Sequence, residues 1–247
     1  MRFIKWEKLP KNMQTAEVKE YYDILKKKRF GLFFKRVFDV FISGLMLLIL
    51  SPLFIILAIA IKIDSKGPVF YRQKRITQYG KEFRIFKFRT MVANADKIGA
   101  HVTINNDARI TRVGKFIRKC RLDEVSQLID VFRGTMTFVG TRPEVPKYTE
   151  QYSPEMMATF LLPAGVTSLA SIYYKDEATL YDPEKDVETS YIEDVLPAKM
   201  RHNLDALENF SFWHDIKIMF MTVGVVLGKR YKDNFSETKD KSSELKA

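Results

Sequence analysis

The stretch VFDVFISGLMLLILSPLFIILAIAIKI, Val37–Ile63, decides the fold. Between Asp39 and Lys62 it carries no charge, and roughly 20 such residues are what a bilayer-spanning helix needs. It begins too deep in the chain, and lacks the small-residue cleavage site, to be a signal peptide. Lys35 and Arg36 precede it and Lys62 and Lys66 follow, so the cytoplasmic bias of basic residues pulls on both ends. Near its middle, Pro52 has no N–H for the carbonyl of Leu48 and its ring crowds that turn, while the Ser51 hydroxyl can bond back one turn. The pattern predicts a bend at Ser51 and Pro52. A kinked spanning helix and a re-entrant hairpin both fit it.

Upstream, residues 1–32 read as a basic extension carrying Lys26, Lys27, Lys28 and Arg29. Val18, Tyr21, Tyr22 and Leu25 recur at helical spacing from about Thr15 to Lys28. Either a solvated helix or an approach to an anionic leaflet fits, the latter at about 1 kcal/mol per basic residue near the surface.

Downstream, in DSKGPVFYRQKRITQYGKEFRIFKFRTM (Asp64–Met91), Gly67-Pro68 marks a turn and Tyr79-Gly80 the turn of a hairpin. Its second strand, Glu82–Phe88, interleaves charges with Phe83, Ile85, Phe86 and Phe88. Such a surface suits either stacked nucleic-acid bases or a lipid headgroup layer, and the apolar segment upstream favours lipid.

The chemistry sits in RKCRLDEVSQLIDVFRGTMTFVGTRPE, Arg118–Glu144. A helix over residues 109–118 has Ile110, Val113 and Ile117 on one face. The next begins at Leu122 or Asp123, with Val125, Leu128, Ile129 and Phe132 as its apolar stripe and Gly134 as its stop. Asp123 and Glu124 then lie in a first helical turn, where free N–H groups and the dipole favour their ionised forms. Capping alone explains two acids there; Arg118, Arg121 and Arg142 around them add a reason for chemistry. An ionised carboxylate can attack phosphorus as a nucleophile, provided that arginine forks and Mg²⁺ offset the repulsion between like charges.

Composition agrees. The formal net charge of +11 calls for an anionic partner. Cys120 is the only cysteine, so no internal disulfide forms, and His101, His202 and His214 show no zinc spacing.

The ordered pieces KRVFD, LSPL, GPVFYRQKR, FKFRTM, DARITRVGKFIRK, LDE..QL, VGTRPE and DIKIMFMTV resemble the bacterial sugar transferase family over about residues 33–226. These are monotopic polyprenyl-phosphate phosphoglycosyl transferases, and the chain looks like their small catalytic form, without the extra N-terminal transmembrane helices of larger members. The resemblance implies transfer of a phosphosugar from a UDP-sugar to undecaprenyl phosphate with release of UMP. It implies Asp123 as the nucleophile of a covalent intermediate and Glu124, with Asp123, as Mg²⁺ ligand. Arg118, Arg142 and Lys87 would meet phosphates, and Ser51-Pro52 would break a re-entrant membrane helix. The departures are Val125-Ser126 for the usual Leu-Pro, Thr141 for the usual proline before Arg142, and Ala164-Gly165-Val166-Thr167-Ser168 for Pro-Gly-Ile-Thr-Gly. The last puts the conformation of that loop in question.

The expected fold class is α/β, mostly α with a small β-hairpin, on a monotopic frame with interfacial amphipathic helices. Its order would be the extension at 1–32, the re-entrant hairpin at 33–66, a catalytic domain at 67–228 on the cytoplasmic face of a bacterial inner membrane, and a disordered tail at 229–247. Residues 92–108 and an acidic stretch after Tyr173 read as loops, and a helix over 190–209 is interrupted by Pro197. Phe212–Leu227 is short for a span and fits a helix lying on the membrane or in the core. Anionic lipids are expected partners, nucleic acid is not, and a homo-oligomer is left open. The competing reading is a membrane-anchored basic module that binds anionic lipid or nucleic acid, with Asp123 and Glu124 as mere caps.

Overall fold

The computed structural model describes residues 3–95, 107–175 and 186–231. In chain order its helices are α1 (Ala16–Lys27), α2 (Arg29–Ile49) and α3 (Ser51–Asp64), followed by strands β1 (Phe70–Thr77) and β2 (Lys81–Phe88). Then come α4 (Arg112–Lys119), a 3-10 segment at Leu122–Gln127, α5 (Leu128–Arg133), β3 (Met136–Val139), α6 (Pro146–Thr149), β4 (Ala164–Thr167) and α7 (Leu169–Tyr173). Helices α8 (Val187–Ser190), α9 (Leu196–Glu208) and α10 (Phe212–Val226) close the described chain. The result is mostly helical with two small sheets.

The predicted bend is present. Helices α2 and α3 meet at 61°, and neither alone is long and apolar enough to cross a membrane, whereas the bent pair is by length and composition. The Ser51 hydroxyl donates to the Leu48 carbonyl at 2.8 Å, the group that Pro52 leaves without its helical donor. Leu48, Ile49, Ile55, Ile56, Ile59 and Ile63 are all more than half exposed, an apolar surface far beyond isolated exposed side chains.

Lys35 and Arg36 do not flank this segment as leaflet-facing charges; they turn inward. Lys35 is 3% exposed and donates to the Val139 carbonyl at 2.8 Å and to Asp215 of α10 at 2.5 Å. Arg36 donates to the carbonyls of Val131 and Phe132 at the C-terminal end of α5, where a cation meets the last carbonyls and the negative dipole end. Asp39, also buried, accepts from the Thr137 hydroxyl at 2.7 Å and the Phe138 N–H at 3.4 Å. One helical face, with Lys35, Arg36 and Asp39 spaced for it, thus bolts α2 to the body below.

Residues 3–27 enter the core. Val18, Tyr21, Tyr22 and Leu25 of α1 join Leu9 and Met13 against Leu161, Leu196 and Met200, each fully buried side chain of this size contributing about 2 kcal/mol. Thr15 caps the helix, and Lys26, Lys27 and Arg29 stay exposed. The apolar stripe of α1 therefore meets protein.

The hairpin forms as expected, antiparallel with Phe70 opposite Phe88 and Thr77 opposite Lys81. Ile85 and Phe88 are buried, which removes them from any lipid-facing role on the second strand. The parallel pair β3–β4 was not anticipated: each strand has only four residues, too few for alternation to register. Gly165 explains its closeness. A Cβ there would lie 2.1 Å from the Gly140 oxygen and 2.3 Å from its nitrogen, both backbone atoms. Gly165→Ala is expected to cost about 3 kcal/mol, measurable as a lowered unfolding midpoint; an unchanged midpoint would show that the strands can part without penalty. Ser168, where the family pattern has glycine, has extended backbone and caps α7 by accepting from Ser171 N–H at 3.1 Å. The loop needs no glycine at that position.

Pro197 does not interrupt its helix: it sits in the first turn of α9, and a π-helical turn at Tyr191–Val195 precedes it. The predicted loops at 92–108 and after Tyr173, and the predicted tail, lie largely outside the described residues.

Candidate active site

Asp123 and Glu124 lie in the 3-10 segment at Leu122–Gln127, entered through Arg121 in the left-handed region at φ 56°. The expected α-helical turn is corrected here. Three residues per turn shift the phase before α5 begins, so Val131 is buried and Phe132, placed in the apolar stripe by α periodicity, is 47% exposed. Gly134 ends α5 at φ 87°, as read from the sequence.

Two side chains tie this segment to β2. The Ser126 hydroxyl donates to the Phe86 carbonyl at 3.1 Å, and Asp130 accepts the Phe86 N–H at 2.8 Å. Both grip the residue next to Lys87 and satisfy its outward N–H and carbonyl on the open edge of the hairpin. Lys87 is thereby aimed at Glu124, whose Oε1 lies 3.1 Å from its Nζ. Arg142, on the loop after β3, donates to the same oxygen and, at 3.3 Å, to the Val166 carbonyl.

The two carboxylates have opposite surroundings. Burial works against charge on Glu124, but Arg142 and Lys87 outweigh it and hold its carboxyl down at about 2. Burial and the neighbouring Glu124 push Asp123 up, against the pull of Lys87 and Arg118. At Asp123 a backbone N–H does favour the ionised form, as the sequence suggests, but burial and Glu124 act against it. Among the described residues its carboxylate forms no ion pair. Burial likewise lowers Lys87, with Arg142 and Arg75 in the same direction and Glu124 opposing.

This geometry sets an acid limit. The folded Glu124 value lies below its usual 4.5, so its stabilisation is complete above that value and disappears as pH falls toward 2. About 3 kcal/mol should be lost over that window, and a Glu124→Gln variant should show a flatter acid limb in thermal unfolding. Equal acid limbs would count against the pairing.

Of the residues singled out from the sequence, Asp123, Glu124, Lys87 and Arg142 converge, and Arg118 acts on Asp123 from the last turn of α4. Ser51 and Pro52 stand apart at the bend. Arg75 was missed. It donates to the Pro143 carbonyl at 3.2 Å and sits 3.9 Å from Glu144, which also accepts from Tyr191 at 2.7 Å and lies 3.7 Å from Lys199. The signal existed: with the turn at Tyr79-Gly80, alternation along the paired strands puts Arg75 and Lys87 on one face.

Among the described residues no cluster of His, Cys, Asp and Glu side chains could hold a metal unaided. Mg²⁺ asks for less, one or two carboxylates plus substrate phosphates. Both cations on Glu124 use Oε1, and Asp123 adjoins it, so the residues fit such an ion.

Known proteins share much of this sequence. The family model described as bacterial sugar transferase matches residues 30–229. A UDP-N-acetylgalactosamine-undecaprenyl-phosphate N-acetylgalactosaminephosphotransferase of Aeromonas hydrophila is 33% identical over 79% of this chain and 44% of its own length. A UDP-glucose:undecaprenyl-phosphate glucose-1-phosphate transferase of Klebsiella pneumoniae is 36% identical over 78% and 40%, and one of Caulobacter vibrioides is 34% identical over 78% and 69%. The chain thus spans less than half the length of the first two. With four-fifths of its length matched, the chain belongs to the bacterial sugar transferase family.

Proposed function

We infer that this protein moves a phosphosugar from a UDP-sugar to undecaprenyl phosphate, releasing UMP, as the first step of membrane glycan assembly. The observation that carries the reading is the split pair: Glu124 clamped between Arg142 and Lys87 and held down, Asp123 beside it pushed up and, among the described residues, without an ion pair. Two neighbouring carboxylates pushed in opposite directions by their surroundings are suited to different tasks. A raised value makes Asp123 the more basic oxygen and the better nucleophile.

In the reaction an Asp123 carboxylate oxygen attacks the sugar-bearing phosphorus of the donor. The bond from that phosphorus to the bridging oxygen breaks, and UMP leaves with the electron pair. An oxygen of the lipid phosphate then attacks the same phosphorus, and the Asp123 carboxylate departs, leaving a diphosphate-linked lipid sugar. Arg118, Arg142, Lys87 and Arg75 supply positive charge around the phosphates. Mg²⁺, held by Glu124 and Asp123, would neutralise charge on the donor phosphates.

The bent pair α2–α3 supports a membrane location. We read it as a re-entrant hairpin with both ends on the cytoplasmic face of a bacterial inner membrane, supported by its 61° bend and exposed apolar surface. A soluble nucleotide sugar and a lipid-borne phosphate meet only at such an interface.

The test is UMP release by purified protein with a panel of UDP-sugars, Mg²⁺ and undecaprenyl phosphate. Metal-dependent release with one donor is expected and would name the sugar. Folded protein that releases no UMP with any donor in the presence of lipid would sink the reading.

A further inference from the structure

The hairpin has a second face that the reaction does not use. Alternation places Arg75 and Lys87 toward the acids and Phe70, Arg72, Phe86, Phe88 and Arg84 on the other side. On that side aromatic rings form a path from the bent helix pair outward. Phe54 of α3 lies 5.1 Å from Phe88, Phe88 lies 5.1 Å from Phe70, and Phe70 lies 5.4 Å from Phe86. At its end the Arg72 guanidinium stacks 3.3 Å over the Phe86 ring, held by bonds to the Arg84 carbonyl, and Arg133 lies 5.9 Å from the same ring.

Arg84 and Arg133 are exposed. The acid facing the group is Asp130, engaged with the Phe86 N–H and with Thr135, while Glu82 farther along pairs with Lys74 at 3.2 Å. The patch therefore keeps a positive surplus. Beside Arg133, the exposed Phe132 ring leans on α2, where a Cβ at Gly44 would come within 3.2 Å of it.

We propose that Arg72, Arg84 and Arg133 form a headgroup site for an anionic phospholipid, distinct from the reacting site, with acyl chains following the exposed apolar surface of α2 and Phe132. Continuity decides the occupant: cations abut an apolar surface that leads into the membrane pair, which suits a phosphate carrying chains better than one without them. The proposal rests on the membrane reading above. The Lys87 side chain projects from the opposite face of the hairpin, so a phosphate held by these arginines lies across the strands from it.

The test uses the full chain in neutral detergent with dioctanoyl phosphatidylglycerol, dioctanoyl phosphatidylcholine and inorganic phosphate as separate titrants. The anionic lipid should bind at least tenfold more tightly than the zwitterionic one. Arg84→Gln/Arg133→Gln should weaken it about thirtyfold, roughly fivefold per cation, and Arg84→Lys/Arg133→Lys should retain most of it. UMP release in that detergent should stay at the parent level. Unchanged binding by the glutamine variant overturns the proposal. So does inorganic phosphate binding as tightly as the lipid, which would make this a site for soluble phosphate. Loss of UMP release along with lipid binding would place the cluster in the reacting site and end the claim of a distinct one. Lipid selectivity in a parent chain that releases no UMP would leave this site standing while the transferase reading fell.

Discussion

Asp123→Asn protein is expected to fold, to bind donor, and to release UMP about 10⁴-fold more slowly than the parent chain or worse. The amide nearly matches the carboxylate in size but lacks the anionic oxygen that must bond to phosphorus. Nothing in the packing opposes the change, since Asp123 forms no ion pair among the described residues and its neutral form is already favoured by burial. Lys87, Arg142 and Glu124 keep their contacts, so donor affinity should change little and the loss should fall on turnover. A second readout is direct. Parent protein mixed with donor alone should gain the mass of one phosphosugar, and the variant should gain none. Turnover in the variant near the parent rate would remove Asp123 from the nucleophile's place.

Lys35→Met should cost about 3–5 kcal/mol, the range for breaking one partner out of a buried pair. For a chain of this size that lowers the unfolding midpoint by roughly 10 °C. The two side chains are 3% and 14% exposed, so water cannot replace Lys35 beside Asp215. Burial already raises Asp215, and Lys35 is the first charge pulling it back. Without Lys35 its value rises further. The sign is then fixed: a carboxyl raised in the folded state destabilises at high pH and is relieved as pH falls through its folded value. The variant should regain stability on mild acidification. Lys35→Met/Asp215→Leu should recover all but about 1 kcal/mol, the remainder being the lost bond to the Val139 carbonyl. A single variant as stable as its parent would mean that the pair is solvated.

Local signals survived the step from sequence to structure where one residue type dictates one geometry. Gly134 ends its helix, Pro52 with Ser51 bends the apolar segment, and Tyr79-Gly80 turns the hairpin. The acid segment resisted because α and 3-10 turns differ by a fraction of a residue per turn, and six residues of the tighter form exchange Val131 for Phe132 on the buried face. Lys35 and Arg36 were opaque for another reason. A basic residue beside an apolar run has the same sequence signature whether it meets headgroups or a buried acid and carbonyls, and only the partners Asp215, Val131 and Phe132, roughly a hundred or more positions away, decide between them.

The packing of residues 3–27 bears on how this chain can be shortened or fused. The family match opens at residue 30, yet Leu9, Met13, Val18, Tyr21, Tyr22 and Leu25 are core residues, and the Ile4 N–H donates to the hydroxyl of Tyr79 at the hairpin turn. A fragment cut to the matched boundary would bare the apolar side of α9 and invite aggregation, and an affinity handle joined directly ahead of Phe3 would press on the turn.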